Sequence, residues 1–302
     1  MSAARFLLLG ADGQVGWELR RALLPLGDVL PCTRAQADFS DLPALRALLE
    51  RAQPHVIVNA AAYTAVDQAE REPELAQRIN AQAPAVLAEH AAAHGAWLLH
   101  YSTDYVFDGR KPAPYVETDA PNPQSAYGRS KLEGERAMAA SGCRHVILRT
   151  SWVYAARGGN FAKTMLRLAA EREQLRVIAD QFGAPTSAEL IADVTAHVLL
   201  RLRHDPAPER LSGLYHLSAQ GATSWHGYAR WVIEYARQRG WALRCAPEAV
   251  QAIATADYPL PAPRPANSRL DCTKLQTTFD LHLPPWQTQV QRLIDELTPH
   301  TP

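Results

Sequence analysis

Short apolar runs recur along the first half of this chain, each followed by a small-residue or polar break and then by a helical pattern. Arg5-Phe6-Leu7-Leu8-Leu9 is the first. Such a run, apolar without alternation, is what a strand buried on both faces of a parallel sheet requires. The same reading places strands at residues 28–31, 55–59, 97–101 and 145–150. Helices are expected at 17–24, after a cap at Asp38-Phe39-Ser40-Asp41, from 74 to about 94 with Pro84 as a kink, and from 127 to about 140. Strand and helix in strict alternation predict an α/β fold with a Rossmann-type doubly wound parallel sheet. After Thr150 the alternation loosens. Residues 151–160, 180–187 and 247–267 are rich in Pro, Gly, Asn and aromatics, with helices expected at 161–171, 190–203 and 225–239. The expected division is a first domain over 1–150 and a smaller, interleaved C-terminal lobe over 151–302, some of whose helices and strands return to the sheet. No internal repeat or low-complexity segment is present.

The junctions carry the chemistry. Gly10-Ala11-Asp12-Gly13-Gln14-Val15-Gly16 joins the first strand to the first helix. Glycines there let the backbone turn tightly and approach a pyrophosphate held by helix N-terminal amides, and Gly16 lets the helix pack close. A dinucleotide is therefore expected on residues 1–150, and the later lobe is assigned to substrate. After the second strand, where an acidic residue often binds a ribose diol, stand Thr33 and Arg34. Arg34 either accepts a 2′-phosphate, which favours NADPH over NADH, or is a solvated loop arginine. Asp38 and Phe39 are placed to border the adenine. Asn59-Ala60-Ala61-Ala62-Tyr63-Thr64 follows the third strand, and its small residues allow a flat cofactor to come close. The fourth strand ends in Ser102-Thr103-Asp104, with hydroxyls at the carboxyl edge where ligands bind in open α/β sheets.

Tyr127 and Lys131 lie four apart, one helical turn from each other. Alone, such a pair is common on helix surfaces. Beside these junctions it reads as a proton donor and an ammonium that lowers the phenol's pKa from its usual value of about 10.

Composition narrows the reading further. Of 302 residues 47% are hydrophobic, enough for a substantial core, and 31 basic residues balance 31 acidic ones. No global field favours nucleic acid or an anionic membrane. No apolar run approaches the roughly 18 residues of a membrane span, and the N-terminal run lacks a signal peptide's order. Cys32, Cys143, Cys245 and Cys272 are too scattered for a zinc or disulfide framework, so a reducing cytoplasmic setting is expected. No histidine cluster is expected either: His90, His94 and His197 show no ligand spacing with a carboxylate.

The motifs together resemble a known family. Gly13-Gln14-Val15-Gly16-Trp17-Glu18-Leu19, Asn59-Ala60-Ala61-Ala62-Tyr63-Thr64-Ala65-Val66-Asp67, Ser102-Thr103-Asp104-Tyr105-Val106-Phe107, Arg149-Thr150-Ser151-Trp152-Val153-Tyr154, Asp180-Gln181-Phe182-Gly183-Ala184-Pro185-Thr186 and Arg264-Pro265-Ala266-Asn267-Ser268-Arg269-Leu270 are similar to those of the dTDP-4-dehydrorhamnose reductases. These are extended short-chain dehydrogenase/reductases acting on nucleotide sugars. The resemblance covers nearly the whole chain. It implies reduction by NAD(P)H of the 4-keto group of a dTDP-linked 6-deoxy sugar, by a homodimer. Tyr127 would donate the proton, Thr103 a hydrogen bond, and Lys131 would hold the nicotinamide ribose. Cofactor contacts are implied for Gly13, Gln14, Val15, Thr33, Asp38, Phe39, Ala62, Tyr63, Thr64 and Tyr101. Substrate contacts are implied for Thr103, Asp104 and Trp152. Thr103 rather than Ser102 is taken as the hydroxyl facing the ketone, since neighbouring strand side chains point opposite ways. Trp152 offers a face to the deoxysugar or sits in the core. Arg264 and Arg269 hold the diphosphate or form structural ion pairs. Some members hold Mg2+ between subunits, and the matching positions are Glu18, Glu189 and Glu296. A 4-epimerase of the same superfamily and a non-catalytic regulatory subunit are the alternatives.

Overall fold

The computed structural model describes residues 4–298. Its centre is a sheet of six strands: β1 (Ala4–Leu9), β2 (Gly27–Cys32), β3 (Val56–Asn59), β4 (Trp97–Thr103), β5 (Arg144–Thr150) and β6 (Gly213–His216). They lie in the order β6-β5-β4-β3-β1-β2, and every pair is parallel. The order reverses beside β1, whose neighbours are β2 and β3. That reversal opens a crevice at the carboxyl ends of β1 and β3, which is where open α/β sheets bind ligands.

The apolar runs are double-sided, as a parallel sheet demands. Leu7, Leu9, Ile57, Leu98 and Ile147 join one buried layer, with Leu45, Leu49, Val86 and Leu87 of α2 (Leu42–Ala52) and α3 (Ala83–His94). Phe6, Leu8, Val58, Leu99, Val146 and Leu148 join the other, with Leu19 and Leu23 of α1 (Gln14–Leu23). Each such side chain contributes about 1.5–3 kcal/mol on burial. A register slip of one residue exchanges the two layers, so packing fixes the register.

The helix expected from 74 to 94 is broken. Pro73–Gln77 leads into a wide π turn over Arg78–Gln82 before α3 begins. Pro84 has no N–H to give the carbonyl of Asn80, and the ladder widens there. Asn80 then serves the cleft. Its amide donates to the Tyr63 carbonyl and to Ser130 Oγ, 3.0 Å each, and accepts from the Tyr63 N–H at 2.9 Å.

Helix α4 (Ala126–Ala140) carries Tyr127 and Lys131, and Ser125 caps it by accepting the Gly128 N–H. A Cβ on Gly128 would stand 2.2 Å from the Tyr105 carbonyl, so only glycine lets this helix meet the turn after β4. Deeper in, Arg149 of β5 grips Glu135 of α4 with two bonds, Nε to Oε1 at 2.9 Å and Nη2 to Oε2 at 2.6 Å. Both side chains are buried, and removing one partner of such a pair costs about 3–5 kcal/mol.

Beyond Thr150, β6 pairs with β5 and α6 (Ala188–His204) packs on α1. α5 (Phe161–Glu171), α7 (Trp225–Gln238) and α8 (Trp286–Leu297) build a second region, with the short parallel pair Leu175–Ile178 and Val250–Ile253. Among the described residues no helix is long and apolar enough to cross a membrane. All four cysteines are free and buried.

Candidate active site

Thr103 ends β4, and the 3-10 turn Asp104–Val106 follows at once. Helix α4 rests on that turn, which sets Tyr127 beside Thr103. The Tyr127 ring meets Tyr105 edge-on, centroids 5.6 Å apart. Spacing alone predicts that Lys131 lowers the phenol's pKa; here it stands raised to about 12. Burial is the cause, with Asp104 adding to it and the Thr103 hydroxyl pulling the other way. The Lys131 Nζ is engaged elsewhere, donating to the Tyr101 carbonyl at 2.7 Å. A phenol in this state is fully protonated at neutral pH, the form a proton donor needs. Thr103 Oγ1 donates to Asp104 Oδ1 at 3.1 Å, and burial pushes that carboxyl up to about 6.

His100 and Asn59 complete the arrangement, and sequence reasoning assigned neither a role. They are direct partners on adjacent strands. Asn59 Oδ1 accepts the Ala61 N–H at 3.1 Å, which turns its Nδ2 toward His100 Nδ1 at 2.9 Å. An amide nitrogen only donates, so His100 Nδ1 accepts and the ring's proton sits on Nε2. His100 is wholly buried and held well below its usual pKa by desolvation and then by Lys131, so it stays neutral. Its Nε2–H therefore faces Lys131 Nζ at 3.1 Å. An ammonium has no lone pair to receive that proton. Burial opposes the charge on Lys131, whose pKa drops to about 8 although Glu135 pulls it up. The only sequence signal for this was a histidine inside an otherwise apolar strand.

Next to these residues lies a cavity of about 320 Å³ at the strand-order reversal. Gly10, Gly13, Arg34, Asp38, Phe39, Ala60, Ala62 and Tyr63 all line it, together with Asp12, Ala37, Ala61 and Ile79. Gly16 lets α1 close on the loop: a Cβ there would stand 2.0 Å from the Gly10 carbonyl. Gln14 and Val15 open α1, and Gln14 Oε1 is buried without a partner. A cradle of close backbone with an orphaned acceptor and an arginine fits a dinucleotide. The remaining expected contacts diverge. The Thr33 hydroxyl is turned to Gln36 at 3.2 Å, and Thr64 is exposed on its loop. The Tyr101 side chain leaves the cleft for Thr195 Oγ1 at 2.7 Å, so its part in the site is its carbonyl. Tyr63 shares an apolar cluster with Tyr127, which joins the cavity to the proton donor.

A second cavity, about 700 Å³, lies in the C-terminal region against Phe161, Met165, Trp225, Tyr258 and Arg264. Tyr105 lines it too and connects it with Tyr127. Sequence reasoning missed these aromatics, although the aromatic-rich segments after Thr150 held the signal. Trp152 stacks on Trp225, centroids 3.5 Å apart, with a left-handed φ of 48°. Arg264 pairs with Asp67 at 2.7 Å at the mouth. Arg269 turns away, with Nε on Asn267 Oδ1 at 2.8 Å and Nη2 on the Pro112 carbonyl. It fastens loops and lines neither cavity.

Glu18, Glu189 and Glu296 share one neighbourhood. Burial, then repulsion from Glu189 and more weakly from Glu296, raises the pKa of Glu18, against the pull of Arg21. Glu189 pairs with Arg292 at 2.9 Å. A different set of donors is tighter. Glu50, His90 and His94 place one ligand atom each within 4.8 Å of the others. The expectation that these histidines lack a carboxylate is corrected: Glu50 comes from a separate helix, across a contact that sequence spacing does not register.

The family model described as RmlD substrate binding domain matches residues 4–298. The dTDP-4-dehydrorhamnose reductase of Shigella flexneri is 51% identical over 295 residues, spanning 96% of this chain and 97% of that protein. That of Burkholderia thailandensis is 48% identical over 294 residues, 97% and 99% of the two chains. Among solved structures, the dTDP-4-dehydrorhamnose reductase of Bacillus anthracis in complex with NADP superposes with a TM-score of 0.87 at 34% identity, over 98% of this chain and 100% of that one. UDP-glucose 4-epimerase of Thermus thermophilus, at 18% identity and a TM-score of 0.75 over 98% and 100%, shares the fold. A match from residue 4 to residue 298 and near-full-length identity of about half to named reductases make this chain a member of the RmlD substrate binding domain family, that of the dTDP-4-dehydrorhamnose reductases.

Proposed function

We propose that this chain is an NADPH-dependent reductase that converts the 4-keto group of dTDP-4-dehydro-β-L-rhamnose to the alcohol of dTDP-L-rhamnose. The observation that carries the reading is the meeting of a protonated Tyr127 with Thr103 at the end of β4, between the dinucleotide-shaped cavity and the aromatic one. Bound in the first cavity, the nicotinamide supplies hydride to the keto carbon. Negative charge then grows on the keto oxygen. Tyr127 gives that oxygen its proton, and Thr103, turned from Asp104, gives a hydrogen bond. Donors aimed where charge develops each supply about 3–4 kcal/mol to the transition state. Lys131 moves from the Tyr101 carbonyl to the nicotinamide ribose and stabilises the phenolate left on Tyr127. Gly10, Gly13, Gln14, Val15 and Gly16 hold the pyrophosphate, and Asp38, Phe39, Ala60, Ala62, Tyr63 and Thr64 flank the rest of the cofactor. Thr33 contributes its backbone, since its hydroxyl is taken.

The two-lobed division belongs to the proposal: the sheet region carries the cofactor, and residues after 151 carry the sugar nucleotide. Trp152 and Arg264 meet it from that lobe and Asp104 from the end of β4; Arg269 acts by holding the loop. Stoichiometric loss of NADPH with the dTDP-linked ketosugar tests the whole reading. Interconversion of sugars without net loss of NADPH would indicate an epimerase, and no turnover with an intact fold a regulatory subunit.

Arg34 sets the cofactor preference. It is exposed on the rim of the cavity. A charge-assisted bond to a 2′-phosphate is worth about 1.5–3 kcal/mol, and screening at an exposed site brings that to the lower end. NADPH is expected to be favoured by about tenfold in kcat/KM, with NADH still used. Arg34→Ala is expected to erase the preference and spare NADH. Equal use of both cofactors by the parent chain, unchanged in the variant, would show that Arg34 does not read the phosphate.

Assembly completes the proposal. Trp17 and Leu24 are exposed on the helix that carries Glu18 and at its end, and apolar exposure of this kind suits a homodimer contact. Oxygen donors suit Mg2+, and Glu18 is held up first by burial and then by its neighbour Glu189, both of which a bound cation would offset. The ion's proposed part is to bridge subunits through Glu18, Glu189 and Glu296, with no step of the reaction passing through it. Light scattering checks this: a dimer in magnesium that falls to single chains on chelation is expected, and a mass indifferent to chelation removes the ion. The buried free cysteines favour a reducing, cytoplasmic setting, which cell fractionation tests.

A further inference from the structure

We propose that Glu50, His90 and His94 bind one divalent transition-metal ion of the zinc class between α2 and α3. His90 and His94 stand one turn apart on one face of α3, and Glu50 reaches them from the end of α2. The scaffold is rigid. Leu45, Leu48 and Leu49 of α2 pack with Val86 and Leu87 of α3, and Arg46 bridges the helices to Glu89 at 2.7 Å. The ligand atoms are already close to the required spacing. Glu50 Oε1 lies 3.3 Å from His90 Nδ1, and Oε2 lies 3.9 Å from His94 Nε2. Donors bound to zinc at about 2.0–2.2 Å in tetrahedral geometry lie about 3.3 Å apart, so separations of up to 4.8 Å close by at most about 1.5 Å, within reach of the exposed Glu50 and His94 side chains.

The protonation states suit a metal as well. His94 Nδ1 donates to the His90 carbonyl at 3.0 Å, which leaves its Nε2 lone pair free for a metal once the ring turns from its stack on His90. This backbone bond is the kind that orients metal-binding imidazoles. His90 is buried, with its Nδ1 turned to Glu50. Two imidazoles with one carboxylate select a borderline ion over magnesium. Glu50 and His94 face solvent, at 63% and 43% exposure, so water completes the coordination. One feature weakens binding. Ligation through His90 Nδ1 moves the ring's proton to Nε2, which is buried without a partner. Micromolar affinity is expected rather than tighter.

The ion acts as a clamp and not in the reaction. His94 lies just before Trp97, where β4 begins, and Thr103 is the far end of that strand. Seven residues at about 3.3 Å each put the two sites roughly 20 Å apart.

The test is titration of the metal-free protein with Co2+, followed by its visible absorption, and with Zn2+ by calorimetry. One ion per chain is expected, with a rise in melting temperature. His94→Ala and Glu50→Gln are each expected to weaken binding by at least about tenfold. Excess Mg2+ should not compete, and His197→Ala should change nothing. Both ligand positions are exposed, so either variant keeps the test valid if the other is poorly folded. Saturation that survives both variants, or yields to Mg2+, would place the ion elsewhere. Absence of saturable binding would end the proposal.

Discussion

Tyr127→Phe is expected to fold, bind NADPH and lose turnover by about a hundredfold to ten-thousandfold. The phenyl ring keeps its place against Tyr105 and the cluster of Ala69, Ala76 and Tyr63. Only the hydroxyl beside Thr103 is lost. Losing the hydroxyl's bond to Thr103 costs about 1 kcal/mol, so the effect falls mainly on kcat and only slightly on the melting point. The loss should also be flat below pH 9, because a phenol with a pKa near 12 does not titrate there. Stopped-flow turnover and a cofactor titration on the pure variant measure both halves. A variant with near-normal kcat would remove Tyr127 from the proton transfer.

Lys131→Met is expected to be worse as a catalyst and better as a fold. Turnover should fall by about a hundredfold or more, since the residue serves the ribose and the phenolate together. Cofactor binding should weaken in parallel. Stability moves the other way. The pKa of Lys131 in the fold is about 8, against 10.5 as its ordinary value. The folded chain therefore binds that proton less readily than the unfolded one. Below pH 8 both states are protonated and the fold bears the whole cost, about 3 kcal/mol at 1.36 kcal/mol per unit. Above pH 10.5 neither is protonated and the cost is gone. Losing the bond to the Tyr101 carbonyl returns about 1 kcal/mol. Without cofactor, the variant should melt several degrees higher than the parent at pH 7, and the gap should close between pH 8 and pH 10.5. A variant that melts lower at pH 7 would mean that Lys131 is not carrying a buried charge.

What could be read in the chain follows from how local each feature is. The first five strands and the glycine loop are continuous stretches, and Gly10, Gly13, Ala60 and Ala62 do converge on one cavity. Tyr127 and Lys131 are one turn apart, which sequence spacing reveals directly. Their electrostatics were not legible, because burial, and then Asp104 just beyond β4, reverse the expected fall in the phenol's pKa. Strand β6 is only Gly213–His216 and carries no pattern long enough to read. The π turn at Arg78–Gln82 hid inside a good helical pattern whose sole warning was Pro84. Arg269 was weighed as a diphosphate ligand because its type suits that task, but its partners Asn267 and Pro112 take up its donors. Glu50 and His90 are 40 positions apart, and only the packing of α2 on α3 joins them.

The central claim is direct hydride delivery to the sugar's C4 with net consumption of the cofactor. NADPH carrying deuterium at the transferable position of its nicotinamide tests it in a single reaction with the dTDP-linked 4-keto-6-deoxy sugar. The account predicts one deuterium per product molecule, bonded to C4, for each NADPH oxidised. A product without deuterium, deuterium at another carbon, or a sugar changed while NADPH persists would contradict it.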